Sequence, residues 1–150
     1  MIRSYEQGPG IDQPIASNES TTQQIYISDY LGSIVRLTNS SGSLLASNVY
    51  DSFGQQLSGP ANRYSYTARE FDSDSGLYYY RARYYNPGIG RFTSEDPIAR
   101  ATATLREYYI YGVNNPIMSK DPLGLFRVLG SCNFCILRTP LCQHWMRHGS

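Results

Sequence analysis

Two groups of residues in this chain have side chains suited to chemistry, and the first lies near its C-terminal end. Cys132, Cys135, Cys142 and His144 could supply four ligands to zinc, and the C-x-x-C spacing of the first two is a genuine ligand spacing. We keep zinc as a weak alternative, because so short a segment rarely folds alone and no second C-x-x-C pair is present. A disulfide in an exported protein would leave one thiol over. We therefore expect no metal and no other cofactor.

The second group consists of two Asp-Pro steps, at Asp96 and Asp121. A proline biases the preceding residue away from the helical region and has a fixed φ of its own, so it would hold each carboxylate in a defined place. On residue types alone, such steps are mainly good turn formers. The elements around them must decide whether they do more.

The composition predicts a folded and mainly β chain. Of the 150 residues, 41% are hydrophobic and 17% charged, which is too apolar for a disordered tail and too polar for a membrane protein. A net charge of +1 argues against a general nucleic-acid binder. The 14 tyrosines and 13 glycines favour strands joined by tight turns. No run approaches the roughly 18 apolar residues of a spanning helix, and the first residues show no secretory signal.

The composition changes abruptly between Leu125 and Phe126. All 12 acidic residues and all 14 tyrosines precede this point, whereas all three cysteines follow it. The 126–150 segment contains arginines and no acid. A boundary between two units is therefore expected here.

A repeated turn organises the first part of the chain. We interpret residues 1–24 as a polar leader or a truncated repeat, with order beginning near Gln24. Short β-prone runs follow, separated by D-x-x-G turns at Asp29–Gly32 and Asp51–Gly54. Asp can bond the backbone two residues on, and Gly can take a positive φ, so the motif can end strands. Its recurrence suggests a stacked array that needs neighbours.

Two longer segments follow these turns. The tyrosine-rich run from Leu77 to Tyr85 is predicted to be one strand, with Arg81 and Arg83 on the same face. Residues 101–111 are the only good helix candidate, and Gly112 stands where a C-terminal cap would.

Long motifs in the second half resemble a known family. They are G-L-Y-Y-Y-R-A-R-Y-Y-N-P-x-x-G-R-F-x-S-E-D-P-I, then Y-x-Y-G-x-N-N-P and D-P-L-G-L. Together they resemble the Rhs repeat-associated core domain, which closes bacterial Rhs and YD-repeat toxins and the C component of insecticidal toxin complexes. The upstream D-x-x-G turns resemble the last YD repeats. The resemblance implies YD-type repeats over residues 25–59, a core domain over 60–125 and a variable tail, a payload stub, over 126–150.

The resemblance also implies a function. In this family the repeats form a hollow β-sheet shell around a toxic C-terminal region, and the core domain cuts its own chain just after the D-P-L-G-L motif. The implied scissile bond here is Leu125–Phe126, which coincides with the break in composition. The expected partners are the rest of the shell, from a parent chain or a partner subunit, and the toxin payload. The expected location is outside the producing cell, after secretion or delivery by a bacterial export system.

The implied chemistry is that of a single-turnover aspartyl protease. The pair would be Asp96 and Asp121, one ionised to take a proton from water and one protonated to donate to the carbonyl. Arg83, favoured over Arg91, would steady negative charge, and Gly124 would let the chain bend toward the acids. No histidine precedes the implied cut, so no Ser-His-Asp triad is expected.

Two alternatives come from other functional classes. The first is a non-enzymatic β-repeat adhesion or carbohydrate-binding module, whose aromatic strand over residues 78–85 would contact partners or glycans. The second is a degenerate orphan fragment without activity.

Overall fold

The computed structural model describes residues 3–19, 22–97, 108–125 and 128–129, the last two by their backbone only. The chain is mainly β and antiparallel, as the composition predicts. A five-stranded sheet comes first and a four-stranded sheet second, and each of two further strand pairs forms a small ribbon. The first sheet contains, in spatial order, β1 (Arg3–Gln7), β2 (Pro14–Glu19), β3 (Thr22–Ser28), β4 (Ile34–Thr38) and β5 (Leu44–Ser47). One ribbon consists of β6 (Val49–Tyr50) and β7 (Gln56–Ser58). The second sheet consists of β8 (Glu70–Asp72), β9 (Leu77–Tyr79), β10 (Tyr84–Asn86) and β11 (Arg91–Phe92). The other ribbon consists of β12 (Ser119–Lys120) and β13 (Val128–Leu129).

The repeated turns have the geometry that their residue types predict. In Asp29–Gly32 and Asp51–Gly54, the Asp Oδ1 accepts the backbone N–H groups two and four residues on, at 2.8 to 2.9 Å. The closing glycines have φ of +93° and +87°. Asn39–Gly42 forms the same turn, with Oδ1 contacts of 3.1 and 2.8 Å. The turn therefore requires a side-chain oxygen and not a negative charge.

The first residues form part of the sheet. β1 pairs with β2 from Arg3↔Glu19 onward, and β2 pairs with β3. The expectation that order begins near Gln24 is therefore wrong. The polar composition of residues 1–24 gave no sign of the β1–β2 hairpin, because an edge strand such as β1 tolerates polar side chains on both faces.

The predicted single strand from Leu77 to Tyr85 is also wrong. A tight turn over residues 80–83 interrupts it, with the Tyr80 N–H donating to the Arg83 carbonyl at 2.9 Å. Arg81 has a φ of +61°, in the left-handed region. The two arginines consequently do not share a face: Arg81 is exposed, whereas Arg83 is 4% exposed.

The core of the second half is an aromatic cluster with polar ends. Its buried members are Tyr66, Tyr78, Tyr80, Tyr85, Phe92 and Tyr111. Three of these tyrosines donate their hydroxyls to the carbonyls of residues 52–54, in the second D-x-x-G turn, at 2.7 to 3.0 Å. This explains the preference for tyrosine over phenylalanine, because a buried hydroxyl needs a partner. Of the aromatic run proposed for adhesion, only Tyr79 and Tyr84 are well exposed, at 41% and 46%.

The predicted helix over residues 101–111 lies largely outside the described residues, which omit 98–107. Its last four positions are not helical. Tyr108 and Tyr109 form a turn, and Ile110 makes a β-bridge with Arg91. Gly112 opens a short 3-10 turn, Gly112–Asn114, and does not cap a helix. In the described part of the chain, no helix is long and apolar enough to cross a membrane. A second 3-10 turn spans Tyr66–Ala68.

Candidate active site

Asp121 occupies the first position of a further D-x-x-G turn, Asp121–Gly124. It directly follows β12, and its Oδ1 accepts the Leu125 N–H at 3.1 Å, four residues on, as in the repeat turns. Gly124 closes the turn with a φ of +68°. The difference lies in the surroundings: Asp29 and Asp51 are exposed, whereas Asp121 is 3% exposed. Its second oxygen, Oδ2, faces a buried guanidinium instead of solvent.

Asp96 reaches the same guanidinium from a different element. It follows β11, and its backbone N–H donates to the Tyr108 carbonyl at 3.0 Å, which fixes the start of the Asp-Pro step. The residue is 7% exposed. The carboxylate is thus buried although the proline after it is exposed.

Arg83 joins the two aspartates. Its Nη2 donates to Asp96 Oδ2 at 3.2 Å and to Asp121 Oδ2 at 3.3 Å. Its Nε donates to the Gly124 carbonyl, and its Nη1 to the Tyr108 carbonyl at 2.8 Å. The guanidinium carbon lies 3.6 Å from the centre of the Phe92 ring. All three nitrogens therefore have acceptors, and the planar group is fixed by hydrogen bonds and by stacking.

Opposing effects act on the pKa of the Arg83 guanidinium in this triad. Burial lowers the pKa of the Arg83 guanidinium, and the negative charges of Asp96 and Asp121 act in the opposite direction. Arginine remains protonated in proteins, so the site contains one fixed positive charge. With both aspartates ionised the buried cluster has a net charge of −1, whereas with one protonated it is neutral.

Gly124 has a steric requirement as well as a conformational one. A Cβ at this position would lie 2.5 Å from the Tyr80 carbonyl oxygen and 3.3 Å from the Arg83 nitrogen. The Asp121 turn therefore packs directly on the turn that presents Arg83. The expectation that Gly124 brings the chain toward the acids fits this contact.

The remaining predicted residues are placed as follows. Leu125 is partly buried beside Asp121, whereas Phe126 lies outside the described residues. β13 pairs with β12, with Lys120 opposite Val128. Arg91 is exposed on β11 and has no place in the buried triad. The four residues of the zinc alternative, Cys132, Cys135, Cys142 and His144, all lie outside the described residues.

Sequence reasoning missed a second charged cluster next to this site. Asp12, in the loop between β1 and β2, forms ion pairs with Arg69 at 2.7 Å and with Arg81 at 2.8 Å. Both arginines also donate to the carbonyl of Pro122, within the Asp121 turn. No local signal links Asp12 to residues so distant along the chain, since its segment shows no repeat pattern.

Several curated proteins are similar to this chain, while no family model matches it. The tRNA3(Ser)-specific nuclease WapA of Bacillus spizizenii is 35% identical over 132 residues, which cover 83% of this chain and 6% of that protein. The toxin protein Tse5 of Pseudomonas aeruginosa is 33% identical over 65% of this chain and 7% of its own length. The chain therefore corresponds to a small part of each of these relatives.

A solved structure supports the fold. The crystal structure of TcdB2-TccC3 matches 81% of this chain and 7% of its own chain, with a TM-score of 0.68 and 24% identity. The antiparallel sheets described above are therefore an arrangement found in that toxin complex. The chain is thus similar in sequence to a small part of two toxins, WapA and Tse5, and it shares its fold with part of TcdB2-TccC3.

Proposed function

We propose that this chain is the closing part of an Rhs-type toxin shell, with an Rhs-associated core domain that cuts its own backbone once after Leu125. In this proposal the shell encloses a toxin, and the cut detaches the region that begins at Phe126. The similarity to WapA and Tse5 and the fold shared with TcdB2-TccC3 support the shell part of the proposal.

One observation supports the proteolytic part above all others. Asp96 and Asp121, distant along the chain, both contact the Nη2 of Arg83 in a buried site. The same guanidinium contacts the Gly124 carbonyl, one residue before Leu125. A pair of carboxylates beside a peptide bond is the arrangement that aspartyl proteolysis requires.

The contacts suggest a division of roles. Asp121 accepts hydrogen bonds on both oxygens, from the Leu125 N–H and from Arg83, and such bonds favour the ionised form. We therefore assign Asp121 as the base and Asp96 as the protonated acid. Arg83 holds both groups and supplies the positive charge that makes the cluster neutral.

The reaction then balances as a simple hydrolysis. A water oxygen attacks the Leu125 carbonyl carbon while Asp121 takes a proton from that water and Asp96 gives its proton to the carbonyl oxygen. In the second step Asp121 gives the proton it took to the Phe126 nitrogen as the C–N bond breaks, and one hydroxyl of the tetrahedral carbon returns a proton to Asp96, which leaves a Leu125 carboxyl group and a Phe126 amine. Cleavage separates Leu125 from Phe126, so each chain reacts once.

The proposed shell partner has a physical counterpart in the sheet. β1 and β5 are the outer strands of the first sheet and each pairs on one side only among the described residues. Leu44 and Leu45 on β5 are 60% and 46% exposed. Unpaired strand edges with apolar side chains invite further strands, which the rest of a shell would supply.

The proposal is tested by mass spectrometry of the chain within its complete shell. Wild-type protein is expected to give two fragments, the second beginning at Phe126, whereas Asp96→Asn and Asp121→Asn should stay whole. A second fragment that begins at Pro97 or Pro122 would indicate chemical breakage of an Asp-Pro bond instead. An uncut wild type in a complete shell would overturn the proposal.

A further inference from the structure

The N-terminal hairpin contributes a charged residue to the surroundings of the aspartate site. Asp12 lies in the loop between β1 and β2, and its side chain is only 8% exposed. Its Oδ2 accepts from Arg69 Nη1 at 2.7 Å, and its Oδ1 accepts from Arg81 Nη2 at 2.8 Å. One carboxylate thus pairs with two arginines from different turns, since Arg69 follows the Tyr66–Ala68 turn and Arg81 lies in the turn over residues 80–83.

Both arginines also donate to the Asp121 turn. Arg69 Nη1 donates to the Pro122 carbonyl at 2.9 Å, and Arg81 Nη1 donates to the same oxygen. The Pro122 carbonyl directly follows Asp121 in the chain. Asp12 therefore orients two guanidinium groups that hold the backbone of the turn carrying Asp121.

The same residues also hold the turn that presents Arg83. Arg69 Nε donates to the Tyr79 carbonyl at 3.1 Å, and its guanidinium lies 5.1 Å from the centre of the Tyr80 ring. Arg81 has a φ of +61°, a conformation that non-glycine residues keep only where their surroundings impose it. The ion pair with Asp12 is such a constraint, since it fixes the Arg81 side chain against a buried carboxylate.

We propose that Asp12 is a positioning residue for the self-cleavage, acting through Arg69 and Arg81 on the Asp121 and Arg83 turns. The inference rests on the proposed function. It ties the cut to the docking of an upstream hairpin, so that the two aspartates meet only after the preceding sheet has folded. A chain whose sheet is incomplete would keep its C-terminal region attached.

The test compares single substitutions in the chain within its complete shell. Asp12→Asn should slow the first-order cleavage rate by about 100-fold, the loss typical of a small misplacement of reacting groups. Asp12→Glu, which keeps the charge, should recover most of the rate. Glu19→Gln is the matched control, because Glu19 belongs to the same hairpin and pairs with Arg3 far from the site. It should cut within about twofold of wild type.

Two readouts separate positioning from a general loss of structure. The pH dependence of cleavage should keep its shape in Asp12→Asn and fall uniformly, because the reacting acids are unchanged. In an Asp96→Asn background, Asp12→Asn should speed hydrogen exchange at the Ala82 and Leu125 N–H groups at least tenfold. The Ala82 N–H donates to the Tyr80 carbonyl at 2.7 Å and to the Leu123 carbonyl at 3.3 Å, and the Leu125 N–H donates to Asp121 Oδ1. Exchange at the aromatic core should stay slow.

The outcomes also distinguish this inference from the proposed function. Wild type cut normally and Asp12→Asn cut at the same rate would overturn the positioning role alone. A uniform rise in exchange across the core would overturn it too, since it would show loss of folding. An uncut wild type would remove the proposed function and the positioning role together.

Discussion

Replacement of Asp121 by Asn separates two roles of this residue, because the turn needs only a side-chain oxygen whereas the proposed chemistry needs the negative charge of the carboxylate. Asn39 shows within this chain that an amide oxygen closes the same turn, with contacts of 3.1 and 2.8 Å. Asp121→Asn should therefore retain the Leu125 N–H bond and lose the charge that faces Arg83. Asp51→Asn is the matched control, because Asp51 closes the same kind of turn at an exposed position.

The structure sets the size of the effect on stability. Arg83 keeps its contacts with Asp96, Gly124 and Tyr108 in the variant, so the guanidinium is not left unpaired. The amide NH2 then stands where Oδ2 was and cannot accept from Arg83, so the loss is one charge-assisted hydrogen bond, about 2 kcal/mol in the free energy of unfolding. For a chain of this size, that corresponds to a fall in Tm of about 4–8 °C.

The effect on cleavage should be far larger than the effect on folding. Loss of a general acid or base costs about 10²–10⁴-fold in rate. A domain with the usual stability of about 5–15 kcal/mol stays almost fully folded after losing about 2 kcal/mol. Asp51→Asn should change the unfolding free energy by no more than about 0.5 kcal/mol and leave the cleavage rate unaltered.

The assay is the rate of appearance of the two fragments at 25 °C, with Tm measured on the same samples. Cleavage of Asp121→Asn within about tenfold of the wild-type rate would refute the role of the carboxylate. An equal loss in Asp51→Asn would show that the turn, not the charge, is what matters.

Three further results are expected. Gly124→Ala should destabilise the chain by several kcal/mol more than Gly76→Ala in thermal unfolding. The two glycines have similar positive φ, +68° and +71°, but a Cβ at Gly124 would meet the Tyr80 carbonyl, whereas one at Gly76 would meet open space. Equal losses would contradict the contact. Arg83→Lys should abolish cleavage, as judged by intact mass, because one ammonium cannot contact the two aspartates and also the Gly124 and Tyr108 carbonyls, as the guanidinium does with its three nitrogens. A rate near wild type would oppose this. Burial raises the pKa of Tyr111 to about 12 from its usual value of about 10, so its contribution to stability is complete below pH 10 and is lost as the pH rises toward 12. Absorbance at 295 nm should therefore show a late phase of tyrosine ionisation that coincides with unfolding. A single phase near pH 10 would contradict this prediction.

The repeat turns were predictable from sequence because their physics is local. An Asp that bonds the backbone two residues on and a Gly with positive φ define the turn within a few residues. The structure shows both features at Asp29–Gly32 and Asp51–Gly54. The Asp121–Gly124 segment has the bond four residues on and the closing glycine of positive φ in a buried setting, so one residue both forms a turn and contacts Arg83.

The break at residues 80–83 could not be predicted in this way. The run from Leu77 to Tyr85 contains no Gly, Pro, Asn or Asp, the residues that signal a turn. The turn exists because ion pairing with Asp12 and packing against Gly124 support a left-handed Arg81. These are tertiary contacts, which no local pattern reports.

The candidate site divides in the same manner. Asp96, Asp121 and Arg83 were selected through a resemblance, and residue types alone favoured turns. Their meeting around one guanidinium is a tertiary property of the fold. Asp12 escaped prediction because its contribution comes entirely from contacts more than 50 residues away, at separations of 57 and 69.

The central claim is tested most directly by letting the complete shell assemble in water enriched in ¹⁸O and weighing the products. Hydrolysis by the aspartate pair predicts one ¹⁸O atom in the new Leu125 carboxyl group and none in the Phe126 fragment. A chain that remains unbroken after assembly, or a break at another bond, would contradict the account.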